Sequence, residues 1–325
     1  MQHISKQLRL ITLSSLLVAS ASSFALGSRK PEPVPPTKPT PPTKPTPPTP
    51  PTPPTPPTPP TEPTKPTDPT TPGSGSDLTS VLSDISKLTV GSSCATYSWK
   101  NRGRAPAGYM AGMAATFAKS LCRQRANQSP AQLMASKNSG NDDKDVLSWY
   151  ASTFDTANLN IDVSGSESLR SLYSLGIGLG MRESSGKYCE GYDVSGGADV
   201  SSEAEAGLFQ TSYNSVNSSA ELRKLYDEYK ADKSKCFLDT FKPGVSCAAR
   251  GFIGTGEGLV FQQLAKSCPA FATEFAMLTL RTIRKHYGPI NRKEAELNAS
   301  CNQMLVKVQD YVESRSSIVC EALVD

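Results

Sequence analysis

From Ala105 to Arg315 apolar residues recur mostly at three- and four-residue spacing, the period of helices that bury one face. "APAGYMAGMAATFAKSLCRQ" (105–124) predicts a helix rich in Ala, Met and Leu, with Pro106 early enough to begin it. "DDKDVLSWYASTF" (142–154) opens on acids, as a helix dipole prefers. "SESLRSLYSLGIGLGMRE" (166–183) carries Leu169, Leu172, Tyr173 and Leu175 on one face, and "SSAELRKLYDEYKAD" (218–232) is strongly amphipathic with an S-x-x-E-like start. "GEGLVFQQLAKS" (256–267) and "PAFATEFAMLTLRTIRKHYG" (269–288) form a pair split by Pro269, and "NRKEAELNASCNQMLVKVQDYVESR" (291–315) closes the fold. Period-2 alternation is scarce; the irregular block from Tyr188 to Glu205, rich in Gly, Ser and acids, is expected to be a loop or a small hairpin. The predicted class is therefore mainly α.

Within the 166–183 helix, Gly176, Gly178 and Gly180 fall on alternate positions, each costing about 1 kcal/mol relative to Ala. Tight helix packing is the expectation for Gly176 and Gly178.

Composition divides the chain. Residues 1–25 read as a signal peptide: Lys6 and Arg9, the apolar run Leu10–Val18, then small residues suited to cleavage after Ala21 or Ala25. That run is short for a membrane span, and no Cys follows it to accept a lipid. Residues 26–76 form a Pro/Thr-rich linker, with 22 of the 27 prolines between Pro31 and Pro72. As polyproline II, that stretch would reach about 130 Å. Residues 77–325 are long enough for one sizeable core.

The formal charge of +4 sits entirely in residues 1–76, leaving 77–325 neutral. Nucleic acid thus has no global electrostatic footprint to bind. All eight cysteines fall after residue 77, and an even number in an exported chain implies disulfides, with connectivity open. A C-x-x-C pair is absent and His286 is the single histidine beyond the signal segment, so no metal or other cofactor is expected. The same scarcity, with no G-x-S-x-G elbow, argues against a Ser-His-Asp or Cys-His hydrolase.

Glu183 stands where the apolar helix stops and the small-residue turn "SSGK" begins. There it is either an exposed acid opposing the helix dipole or a desolvated general acid with a raised pKa. From Glu183 to Glu205 there are six acids against one base, Lys187. Downstream, "AGLFQTS" (206–212) joins a glycine, two large apolar residues, an amide and hydroxyls.

In this order, "ESSGKY" followed by "AGLFQTS" resembles the paired motifs of goose-type lysozymes and lytic transglycosylases, enzymes that cleave the glycan of peptidoglycan. The resemblance extends over about Ser166 to Tyr287. It implies a lysozyme-like, disulfide-bonded helical domain with a small irregular or β flap, and Glu183 as catalytic acid. It further implies that Gly207 and Gln210 belong to the glycan cleft, that Ser184 bonds the acid or a sugar amide, and that Tyr287 is the late aromatic of the site. Asp193 and Asp199 are the candidates for a second carboxylate, which hydrolysis uses to activate water.

The expected partner is thus a peptidoglycan glycan strand, met by a monomeric secreted or periplasmic lysozyme. The acidic surplus suggests a preference for deacetylated, cationic glycan. Two alternatives stand beside hydrolysis: lytic transglycosylation, in which the sugar's 6-hydroxyl attacks to give a 1,6-anhydro product, and a noncatalytic wall-binding or inhibitor protein on the same scaffold.

Overall fold

The computed structural model describes residues 77–191, 200–247 and 251–324. They are mainly helical, as expected, with eight helices of nine or more residues. These are α1 (Leu78–Thr89), α2 (Ala107–Arg125), α3 (Ser166–Ser184), α4 (Ala220–Ala231), α5 (Gly256–Ser267), α6 (Pro269–Thr282), α7 (Ala299–Ser314) and α8 (Ser316–Val324). Two two-residue strands, β1 (Ser98–Trp99) and β2 (Gly103–Arg104), pair antiparallel with Trp99 opposite Gly103.

Helices α2, α3 and α6 are buried along almost their whole length and pack on one another to form the centre of the core. A helix apolar on every side can only sit inside. The amphipathic α1 and α7, with α8, cover α2 and α3, while α4 and α5 cover α6. The alternate glycines of α3 are packing positions. A Cβ at Gly178 would collide with the Glu296 carbonyl oxygen, and one at Gly176 would meet the Met277 thioether. At Gly180 the missing Cβ admits the Tyr109 hydroxyl, which donates to the Ile177 carbonyl (2.7 Å).

Several elements depart from the sequence expectation. The 142–154 helix breaks at Tyr150 into Val146–Trp149 and Ala151–Thr156. The 269–288 helix ends at Thr282, and Arg284–His286 continues as a single 3₁₀ turn. The last long helix starts at Ala299 under an Asn298 cap, because the acids before it are drawn elsewhere. Glu294 takes Arg182 and Arg292, and Glu296 takes the Tyr97 hydroxyl and the Lys100 N–H. Helix α1 carries Leu78, Val81, Leu82, Ile85 and Leu88 at three- and four-residue spacing, a period that lies ahead of the Ala105–Arg315 stretch; α8 and the 98–104 hairpin had no strong period in the sequence. Of the 188–205 block, residues 192–199 lie outside the described residues; its described parts are turns and irregular chain.

All eight cysteines are paired: Cys94–Cys301, Cys122–Cys320, Cys189–Cys247 and Cys236–Cys268. Four bridges suggest an extracytoplasmic protein. No described helix is long and apolar enough to cross a membrane.

Candidate active site

Helix α3 ends where its chain turns left-handed at Ser185 (φ 57°) and Gly186 (φ 73°). The Ser185 N–H bonds the Met181 carbonyl (3.0 Å) and the Gly186 N–H reaches back to the Gly180 carbonyl (3.2 Å), so the left-handed turn satisfies carbonyls of the last helical turn. Arg102, in the turn between β1 and β2, donates to the Arg182 carbonyl (2.6 Å). With the helix end so closed, Glu183 projects from a fixed final turn into a cavity of about 300 Å³. Arg102, Ser185, Lys187, Glu190, Glu205 and Gln210 share that lining. Larger hollows exist elsewhere on the surface, but this one brings Glu183 together with Glu190, Glu205 and Gln210.

The Glu183 carboxyl is half-buried, and no described group hydrogen-bonds it. Burial first, and then the charge of Glu205, push its pKa up to about 8 against the opposing pull of Arg102, Arg182 and Arg292. Two of those cations are held by another acid: Glu294 bonds both Arg182 (2.9 Å) and Arg292 (2.9 Å) and is itself drawn down to about 2. A carboxylic acid that stays protonated at neutrality and faces an open cavity is equipped to deliver a proton.

The second half of the site is the turn from Ala206 to Thr211. The Ala206 N–H bonds the Thr211 carbonyl (3.0 Å), closing a tight loop with Gly207 and Gln210 both at positive φ. Gly207 is required twice over, for its φ of 78° and because a Cβ would stand 2.6 Å from the Ala265 carbonyl oxygen of α5. Its N–H donates to the Glu190 carbonyl (2.9 Å), so the loop is tied to the segment that follows Glu183. This brings Glu205 to the cavity and into electrostatic contact with Glu183.

Three of the expected site residues therefore line one cavity: Glu183, Ser184 and Gln210. Ser184 is committed to structure, its hydroxyl donating to the Gly180 carbonyl (3.1 Å) and accepting from the Lys187 N–H (3.1 Å). Gln210 donates its amide N–H to the Gly207 carbonyl (2.9 Å), which leaves the amide oxygen as its remaining acceptor. Gly207 shapes the loop and does not line the cavity. Tyr287 does not line it either: the ring is 2% exposed, and burial, then Glu183 and Glu205, hold its pKa well above the ordinary phenol value. It is a neutral group packed within reach of both acids. Asp193 and Asp199 lie outside the described residues.

In the sequence Arg102 has no assigned role, and Glu205 stands only among the six acids of the 183–205 segment. Glu205 had a usable signal, two residues before the glycine of the "AGLFQ" motif. Arg102 had none, being 80 residues from its partner Arg182. No protein-family model, curated protein or solved structure matches the chain.

Proposed function

We propose that this protein is a secreted lysozyme-type glycosidase of peptidoglycan, with a lysozyme-like arrangement of its helices and Glu183 as general acid. The observation that carries the reading is the Glu183 carboxyl: free of hydrogen bonds among the described residues, pushed up to about 8 by burial and Glu205, and open to a cavity beside the Ala206–Thr211 loop. In this scheme Glu183 gives its proton to the glycosidic oxygen as the bond to the anomeric carbon breaks. Asp193 and Asp199 lie outside the described residues, and among those described Glu205 takes the part of the second carboxylate. It takes a proton from the water that attacks the oxocarbenium-like centre, and its negative charge beforehand keeps the proton on Glu183. Gln210 offers its amide oxygen to a sugar hydroxyl or amide N–H, and Arg102 and Lys187 supply cations at the rim.

With Glu183 protonated, the described lining holds Glu190 and Glu205 against Arg102 and Lys187. Those charges balance; Asp193 and Asp199, which the acid count included, lie outside the described residues.

Digestion of purified sacculi tests the function. Soluble muropeptides with free reducing ends are expected by mass spectrometry. Products lighter by one water would reassign the site to transglycosylation, and no soluble product would leave the noncatalytic wall-binding reading.

A further inference from the structure

A second cavity, of about 460 Å³, opens between α2 and α4 and is lined by Lys119, Arg123, Lys224, Lys235, Glu228 and Asp232 among others. At its wall lies an ammonium group with too few acceptors. Lys119 is 4% exposed, and its Nζ donates to the Tyr229 hydroxyl (2.8 Å) while resting 4.3 Å from the Tyr229 ring centre and 5.5 Å from that of Phe237. An ammonium carries three N–H donors, so two have no hydrogen-bond acceptor among the described residues. A buried charge in that condition is costly unless something completes it.

The acids nearby are already engaged. Glu274, deeper in the core, accepts from Arg123, Ser120 and the Tyr229 hydroxyl; Glu228 accepts from Arg123; Asp232 takes the N–H (2.8 Å) and the hydroxyl (2.9 Å) of Ser234. Among the described residues Lys224 reaches only the Ser129 hydroxyl, at 3.5 Å, and Lys235 gives one N–H to the Ala322 carbonyl (2.9 Å). Burial drives the Lys119 pKa down to about 8, with Arg123 and Lys235 adding to the fall and Glu274 and Glu228 resisting it. The site has surplus cationic donors and a cavity in which to use them.

We propose that this cavity binds a phosphate group between Lys119, Lys224 and Lys235. A phosphate fits better than a carboxylate for a geometric reason. The planar fork that recognises carboxylates bidentately, Arg123, is occupied by Glu274 and Glu228, whereas the three lysines remain as point charges suited to tetrahedral oxygens. The site is distinct from the Glu183 cavity. Lys119 is ten residues along α2 from Tyr109, which packs against Gly186 at the end of α3, and ten residues span about 15 Å of helix.

Calorimetric titration of the full chain with inorganic phosphate, using acetate at equal ionic strength as comparison, tests the site. One saturable phosphate site per chain is expected, lost in Lys119→Met and weakened up to about fivefold in each of Lys224→Gln and Lys235→Gln. The two glutamine variants lie at the surface and guard against a folding defect in Lys119→Met. Phosphate binding no tighter than acetate, or undiminished in both glutamine variants, overturns the proposal. Poly(glycerol phosphate) binding through the same lysines would identify a polymer-borne ligand, and binding of inorganic phosphate alone would identify the free ion.

Discussion

Glu183→Gln is expected to reduce release of soluble muropeptides by about 10²- to 10⁴-fold, the usual contribution of a positioned general acid, while sedimentation with sacculi is retained. Glutamine keeps the shape and neutrality of the protonated acid and removes the transferable proton. The same substitution has a signature in stability. The Glu183 pKa is raised in the folded protein to about 8 from an ordinary 4.5, so the folded state holds a proton that the unfolded state has released between those values. Its stabilising contribution is present below pH 4.5 and is lost as pH rises through 8. The glutamine variant has no such loss and should gain on the wild type in denaturant titrations as pH rises across that window. An inactive variant that is also no more stable at pH 8 than at pH 4.5, relative to wild type, would contradict the desolvated acid.

Arg123→Met is expected to destabilise the fold by about 3 to 5 kcal/mol, measured as a fall in the urea midpoint. Glu274 is fully buried on α6, and burial alone would raise its pKa; Arg123 and Lys119, with the Tyr229 and Ser120 hydroxyls, outweigh that and hold it ionised. Removing the guanidinium leaves a buried carboxylate with Lys119 as its nearest remaining cation, and it also releases Glu228. The double variant Arg123→Met/Glu274→Met should recover much of the loss, since apolar side chains need no partners there. If the double variant is as unstable as the single, the cost lies in lost packing of Arg123 and the charge argument fails.

Most of the helical frame was legible because its signals are local. The 166–184 and 256–267 helices were visible from apolar spacing, and Pro269 marks the junction of α5 and α6. What escaped was set by distant partners. The 291–315 helix lost its first turns because Glu294 and Glu296 are held by residues 112 and 199 positions away. The disulfide pairing, with Cys94 joined to Cys301, has no trace in the spacing. In the site, Glu183 could be singled out because a helix end and a turn are sequence features. Its pKa depends first on burial and then on Glu205, opposed by its neighbour Arg182 and by Arg102 and Arg292 from separate segments, and all but Arg182 are brought there by the fold. The motif "AGLFQ" marks a loop that the fold sets beside the Glu183 cavity, with Gly207 against α5 and Tyr287 buried near Glu183 and Glu205 without lining the cavity.

The proposed chemistry depends on one carboxyl, Glu183, staying protonated at neutral pH in an open cavity. Titration of the Glu183 side-chain carbon by nuclear magnetic resonance, in protein carrying labelled glutamate, measures this directly. A midpoint near 8 is expected, falling toward the ordinary range in Glu205→Gln because one of its two raising causes is removed. A wild-type midpoint near 4.5 would contradict it.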